Sequence, residues 1–559
     1  MILVRIYFNN IPVSHIPTKP KKLVRPIISS NNSTPSFQTK PKTKITKETT
    51  NYSLPLSACS SFFSTLASVP NVLYNILDPP LHAWLGPTHV YAGNLAPVDE
   101  MEPTDCPVIE GKLPVSLKGV YIRNGPNPQL RVIPRALLLF DGDGMLHSLR
   151  FSDGHATYCC RYVKTYKFLL EREAGFPVVP NVFSGFFGFG DILRFLMATR
   201  RIVTGHFNLM NGFGVANTGL AFFANKLFAL CESDLPYAID LTQRGDIETL
   251  GRWEFEKKLM SNMTAHPKVD MDTKETFAFS WSLTFPHLTF FRFDEKGVKQ
   301  KQVAISSIKQ PCFIHDFAIT KTFAIFHETQ LIYSIGKVTT GRGTLVDYEP
   351  NKIPRIGIIP KYAMNDSDMK WFQVPGFNTI HIINAWENGD DEIVFVASNI
   401  VSVDNIFKST VNVSLEKVNI NIKTGEISRD IISPRNLEFG SINPCYVGRE
   451  TRFAYLGVLE EVPKMSGIVK IDLETGQEVA KRFYGPNCFG GEPLFVRRDG
   501  ESNNSDEDDG YVMTYVHDEK ANESKFIIMD AKSSELEIMT VIEVPRRVPY
   551  GFHGLFVCN

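Results

Sequence analysis

The chain has 559 residues and a formal net charge of −1; 43% of the residues are hydrophobic and 21% are charged. This is ordinary globular composition, and a balance so close to neutral lacks the basic stripe that a nucleic-acid partner needs. Nine cysteines is an odd number and no CxxC occurs, so the thiols read as reduced, in a non-secretory compartment.

Met1 to Lys47 contains no Asp or Glu but nine Lys and Arg, among many Ser, Thr, Asn and Pro. An acid-free basic leader is the profile of an organellar transit peptide, which we place at residues 1–56. It has no long apolar core, so it is neither a secretory signal nor a membrane span. Residues 57–93 read as an apolar helical arm: 61–69 and 72–77 look like short helices broken by Pro70 and ended by Asp78-Pro79-Pro80. Docking on its own core and contact with a bilayer are both open readings of this arm.

From Asn94 the pattern becomes many short strands between Gly, Pro, Asn and Asp turns. Examples are 119–123, 226–230, 276–280, 392–396 and 526–529. The rhythm persists to the end of the chain, so the expected class is all-β, with 94–559 as one body. A sandwich or barrel seldom runs so long, and a propeller lets inner strands of different blades each aim a side chain at one axis. Sequence repeats are not evident, so this is a geometric argument. One insert breaks the rhythm: Phe183 to Gly190 carries four phenylalanines, and Asp191 to Arg201 reads as a helix apolar round most of its circumference. Phe186, Phe187, Phe189, Ile192, Leu193, Phe195 and Leu196 are candidates for a tunnel mouth or a membrane contact; a lid packed on its own domain is the plainer reading.

Asp141-Gly142-Asp143-Gly144 hints at a calcium loop but lacks Gly at the sixth position and Glu at the twelfth, so it reads as a tight turn. Residues 501–509 read as an acidic surface loop without a function. No GxxxxGK[ST], GxSxG or GxGxxG is present, so nucleotide binding and serine hydrolysis have no support.

The chemistry centres on 313–320, an alternating run that reads as a strand with Phe313, His315, Phe317 and Ile319 on one face. A histidine in an aromatic row is, taken alone, a core residue with one hydrogen bond. Three others sit in similar settings: His266, His381 and His553. No pair has the helical spacing of HExxH, yet four neutral imidazoles from distant strands can converge on an axis, and imidazole suits iron, copper, zinc and nickel. Three glutamates also stand where charge is unexpected: Glu232, Glu438 and Glu492. Each alone is a strand-end surface carboxylate; together with the histidines they favour a metal with carboxylates behind its ligands. An all-nitrogen set is unlike structural zinc, and four ligands on octahedral Fe(II) leave two places for dioxygen or solvent. Of the remaining histidines, His327 beside Glu328 is the strongest decoy.

From about Asn94 to Val557 the chain resembles the plant carotenoid cleavage dioxygenases, most closely their type 4 plastid group. The resemblance rests on 122–128 (Ile-Arg-Asn-Gly-Pro-Asn-Pro), 140–145, 232–237, 264–268, 313–317, 381–387, 489–493, 515–519 and 548–554. It implies a seven-bladed β-propeller with a helical dome over the iron face, and one Fe(II) on the axis bound by His266, His315, His381 and His553. It implies that Glu232, Glu438 and Glu492 serve His315, His381 and His553 in that order. The implied reaction uses O2 to cleave a double bond of a C40 carotenoid or apocarotenoid, at 9,10(9′,10′), to a C13 ketone such as β-ionone and an apocarotenal. The alternative is 7,8(7′,8′) cleavage to C30 apocarotenals or a C20 dialdehyde, and a non-catalytic lipid-binding propeller is a third reading. The segments 135–139 and 327–332 depart from the family's usual pattern and bear on which bond is cut. Phe313 and Phe317 are candidate tunnel walls. The implied location is a plastid, at its membrane or a plastoglobule, with no nucleotide or nucleic-acid partner.

Overall fold

The computed structural model describes residues 87–130, 139–179, 186–187, 196, 198–340, 342–405, 411–498 and 506–558. The leader at 1–56, residues 57–86 of the arm, and most of the 183–201 insert and 501–509 loop lie outside them. All the described residues belong to one compact unit, Phe63–Asn559.

The unit is mostly β, built as successive antiparallel meanders with few helices. Strands Gly219–Phe223, Lys226–Leu230, Tyr237–Leu241 and Ile247–Arg252 form one four-stranded sheet. The next runs through Lys268–Val269, Thr276–Trp281, Leu288–Phe293 and Val303–Ala304. Then come Phe317–Ile319, Phe323–Glu328, Arg355–Pro360 and Lys370–Gln373, and after them Thr379–Asn388, Glu392–Ile400, Val413–Asn421 and Ile427–Ser433. Two further meanders, from Leu437–Ser441 and from Leu494–Arg497, are joined into a ten-stranded sheet through Cys488–Gly490. The remaining large sheet mixes the two ends of the unit: Gly119–Pro126 pairs with Gly144–Ser152 on one side and with Gly554–Cys558 on the other.

Sheet faces are covered by sheet faces, because each carries apolar side chains on both sides of its inner strands. Phe277 and Phe279 meet Phe317 and Phe326 between two neighbouring sheets, with Phe317 and Phe326 stacked at 5.5 Å. Ile325 and Ile356 meet Ala385 and Phe395 between the next two. Tyr121 and Leu149 in the first meander meet Met513 and Phe526 in the last. Packing therefore continues from the last meander back onto the first.

The run at 313–320 is shorter as a strand than its alternation predicts. Only Phe317–Ile319 is regular, and it is preceded by an extended segment with a single bridge at Cys312–Ile332. Parity breaks as a result: Ile314 and Phe317 fall into the same core cluster. The insert also differs from expectation, since Phe186–Phe187 forms a two-residue strand with Arg342–Gly343. The Asp141–Gly144 turn is a turn. Asp143 Oδ2 accepts from Gln129 N at 3.1 Å, and the buried ammonium of Lys167 lies 3.5 Å from Asp143 Oδ1 and 2.8 Å from Glu171 Oε2. The protein thus supplies its own cation there. The described end of the acidic loop is an anchor: Glu507 accepts from Thr451 Oγ1, Arg452 N and Phe453 N, and Asp508 pairs with Lys470. Cys159 and Cys160, adjacent in sequence, are both buried free thiols.

Candidate metal centre

His266, His315 and His553 stand in extended segments just before the strands Lys268–Val269, Phe317–Ile319 and Gly554–Cys558, and His381 lies inside Thr379–Asn388. Four different sheets therefore supply them. At His266 and His381 the backbone leaves regular pairing where the ring must turn inward. Pro267 follows His266 and has no N–H to offer a ladder. At His381 the register with Glu392–Ile400 slips between Thr379 and Ile382, and the His381 carbonyl accepts from Thr379 Oγ1 at 2.7 Å instead. Beside His553, Asn124 N donates to His553 O and Phe552 N donates to Asn124 O, both at 2.9 Å.

One ligand-competent nitrogen from each of the four rings lies within 4.8 Å of the others, and His266 Nε2 is 2.9 Å from His315 Nε2. A carboxylate stands behind three of the rings. Glu232 Oε1 contacts His315 Nδ1, Glu438 Oε2 accepts from His381 Nδ1 at 2.8 Å, and Glu492 Oε1 accepts from His553 Nδ1 at 2.9 Å. The order is that implied by the resemblance. Each such bond puts the ring proton on Nδ1 and turns the Nε2 lone pair inward. Two of these carboxylates also hold the chain: Glu438 accepts from Phe439 N and Glu492 from Gly554 N, both at 2.6 Å.

Burial lowers the His266 imidazole well below its ordinary pKa, and the three neighbouring rings push the same way. Burial lowers His553 too, against the pull of Glu492. At His381 burial again acts downward, but Glu438 outweighs it and the value rises. Burial pushes Glu438 up, and His381 outweighs that, so its carboxyl stays below the ordinary range. Glu438 is thus held as an anion behind the His381 ring. His381 Nε2 is buried without a hydrogen-bond partner. Four ring nitrogens gathered within 4.8 Å, one of them a buried acceptor left unsatisfied, fit a cation, and a purely imidazole set fits a first-row transition metal.

One face of the centre is apolar. Phe439 packs on His381 and His553 with ring centroids 5.0 and 5.2 Å away, and its backbone is left-handed at φ +54. An aromatic residue rarely adopts that conformation, and it occurs here next to Glu438, whose carboxylate fixes the Phe439 N–H. Phe313 lies beside His315, at 5.7 Å, within an apolar cluster that also includes Trp281, Tyr333 and Ile380. Sequence reasoning singled out Phe313 and passed over Phe439, Trp281, Tyr333 and Ile380. Ile380 could have been found from its place beside His381, but an aromatic after a carboxylate reads as ordinary core.

Phe317 needs correction. It is fully buried among Phe279, Phe290 and Phe326, so it packs two sheets together and walls no tunnel. Its side chain turned inward because the strand starts only there. His327 is buried against Phe377 and Phe395, and burial pushes its imidazole down to about 3. Of the candidate entry residues, Leu196 is exposed. The side chains of Phe186, Phe187, Phe189, Ile192, Leu193 and Phe195 lie outside the described set.

Fold and site together define a protein of antiparallel sheets carrying one candidate mononuclear centre of four histidines. Residues 95–558 match the family model described as retinal pigment epithelial membrane protein, and the chain belongs to that family. It is 52% identical over 515 residues, 90% of this chain and 86% of the other, to a protein of Arabidopsis thaliana described as probable carotenoid cleavage dioxygenase 4, chloroplastic. It is 46% identical over 355 residues to the chromoplastic zeaxanthin 7,8(7′,8′)-cleavage dioxygenase of Crocus sativus, covering 62% of this chain and 96% of that one. Identity to carotenoid 9,10(9′,10′)-cleavage dioxygenase 1 of Arabidopsis thaliana is 36% over 495 residues, 84% of this chain and 90% of the other. The crystal structure of Pseudomonas brassicacearum lignostilbene dioxygenase superposes with a TM-score of 0.74 at 22% identity, covering 85% of this chain and 99% of that one, and so shares the fold. The chain is an oxygenase of the carotenoid cleavage dioxygenase group.

Proposed function

We propose that the chain is a non-haem iron(II) dioxygenase that cleaves one double bond of a C40 carotenoid or an apocarotenoid, at 9,10(9′,10′). The observation that carries this is the convergence of His266, His315, His381 and His553, three of them held by carboxylates. The four histidines would hold the iron, which when bound supplies the activation of O2 that closed-shell side chains cannot. The protein's own part is placement and exclusion. The Glu438 and Glu492 carboxylates keep the ring protons on Nδ1 of His381 and His553. The apolar wall of Phe439, Phe313 and Ile380 suits a polyene, which has no polar group near its reacting bond, and keeps bulk water from it. The balance is simple: both oxygen atoms of O2 end as carbonyl oxygens, one on each half of the broken double bond.

The architecture we propose is a seven-bladed propeller with a helical dome. Face-to-face packing of successive meanders, and of the last on the first, supports it. The names of the relatives support a plastid location, and residues 1–56 supply the leader; a fluorescent fusion of full-length protein that stays in the cytosol would contradict this. Contact with the plastid membrane or a plastoglobule is part of the same reading.

Cleavage at 7,8(7′,8′) is the second reading, favoured by the 46% identity to the Crocus enzyme. The two bonds differ by a slide of the substrate of roughly 2.5 Å, the spacing of alternate carbons in an extended chain. Incubation of iron-loaded protein with β-carotene and zeaxanthin, read by product mass, decides between them. C13 ketones are expected; a C30 aldehyde without them moves the assignment to 7,8, and no oxygen-dependent cleavage of any carotenoid or apocarotenoid removes the catalytic reading.

A further inference from the structure

Three of the four histidines are turned by a carboxylate on Nδ1, and among the described residues His266 is paired with none. Its segment has little ladder to hold it either, since Pro267 follows and the strand after it has two residues. The firm attachment comes from Lys268, whose Nζ lies 2.7 Å from Asp316 Oδ1. Asp316 directly follows His315. The same Oδ1 accepts from Phe317 N at 2.7 Å, and Oδ2 accepts from Ile382 N at 2.9 Å, where Ile382 directly follows His381. The Asp316 side chain is 3% exposed and that of Lys268 20%. One buried carboxylate thus touches the chain next to three of the four histidines. Thr264 adds a lighter link: its hydroxyl accepts from His266 N at 3.1 Å and donates to His315 O at 3.4 Å.

We infer that Lys268 and Asp316 form a positioning clamp for His266, replacing the carboxylate that the other three histidines have. Asp316 cannot shift without disturbing the segments of both His315 and His381, because its two oxygens bind their backbone neighbours. Lys268 transmits that constraint across to the His266 arm. Charge-assisted bonds to a buried acceptor are short and directional, which suits a brace better than a neutral bond would. Neither side chain is among the four converging ligands, and the clamp acts on where His266 Nε2 sits. This rests on the four histidines being a metal centre.

The test uses the full-length chain, stripped of metal and titrated with Co2+, whose visible ligand-field bands report the geometry of its donors. Lys268→Met is expected to weaken Co2+ binding by roughly 10–100-fold, the usual effect of losing a residue that orients a ligand, and to shift the bands. Lys268→Arg, which keeps the ion pair, is expected to restore both close to wild type. Asp316→Asn is expected to behave as Lys268→Met. The metal-free proteins are melted in parallel. Wild-type affinity and bands in Lys268→Met overturn the clamp, as does equal impairment in Lys268→Met and Lys268→Arg. Affinity losses that merely follow the fall in melting midpoint across all three variants also overturn it. A wild-type chain that takes up no Co2+ refutes the metal centre and the clamp together.

Discussion

Glu438 and Glu492 each do two things with one side chain: they fix the tautomer of a histidine and they tie down the next backbone N–H, of Phe439 and of Gly554. A Gln keeps the shape of the group and can still accept one bond, but it loses the charge that strengthens both. Replacing Glu232, Glu438 or Glu492 with Gln is therefore expected to weaken iron retention or activity by roughly 10–100-fold. Metal analysis of the purified variants and initial-rate assays check this, and full activity in all three contradicts it. At this scale the sequence was informative where a residue type clashed with its setting. A histidine in an aromatic row and a carboxylate in Phe489-Gly490-Gly491-Glu492 both stand out. Phe439 and Asp316 do not, because their neighbours in sequence make them look like ordinary core and an ordinary outward-facing strand residue. Their significance comes from rings and backbone N–H groups that arrive from other sheets.

Strands bounded on both sides by turn residues were read well: Lys226–Leu230 has the bounds that its sequence suggests. The segment carrying His315 was read as too regular, because alternation describes a paired strand and these residues have left the ladder to reach the centre. The contacts between sheets were not readable at all. One of them offers a pH test. Arg161 donates from Nε and Nη2 to the two oxygens of Asp246 at 2.7 and 2.9 Å, joining strand His155–Tyr162 to the turn before Ile247–Arg252. The Arg161 hydrogen bonds hold the Asp246 carboxyl down to about 2. An unfolded aspartate titrates near 3.9, so the pair's stabilisation is complete above roughly pH 4 and is lost as pH falls through about 2. Asp246→Asn is expected to unfold at lower urea than wild type at pH 6, and the gap is expected to close toward pH 2. A gap that stays the same width across that range would show that the carboxylate charge contributes nothing.

For the whole molecule, the sheet that joins Gly119–Pro126 to Gly554–Cys558 brings the two ends of the unit together beside His553. The approach there is close enough to need glycine: a Cβ on Gly125 would lie 2.7 Å from Gly551 Cα, and one on Gly551 would lie 2.7 Å from Arg123 Nε. Arg123 is itself buried and donates to Pro549 O, so it sets the loop that carries the fourth histidine. Intervals of 49, 66 and 172 residues between the histidines have no local period, so sequence physics could name the four but could not show them meeting. Sheets stacked face to face supply the convergence, and it is also the central claim. Crystals of iron-loaded full-length protein, with anomalous scattering measured on both sides of the iron edge, test it most directly. The account predicts one iron per chain, bonded to Nε2 of His266, His315, His381 and His553; a peak elsewhere, or one that leaves any of the four unbound, would contradict it.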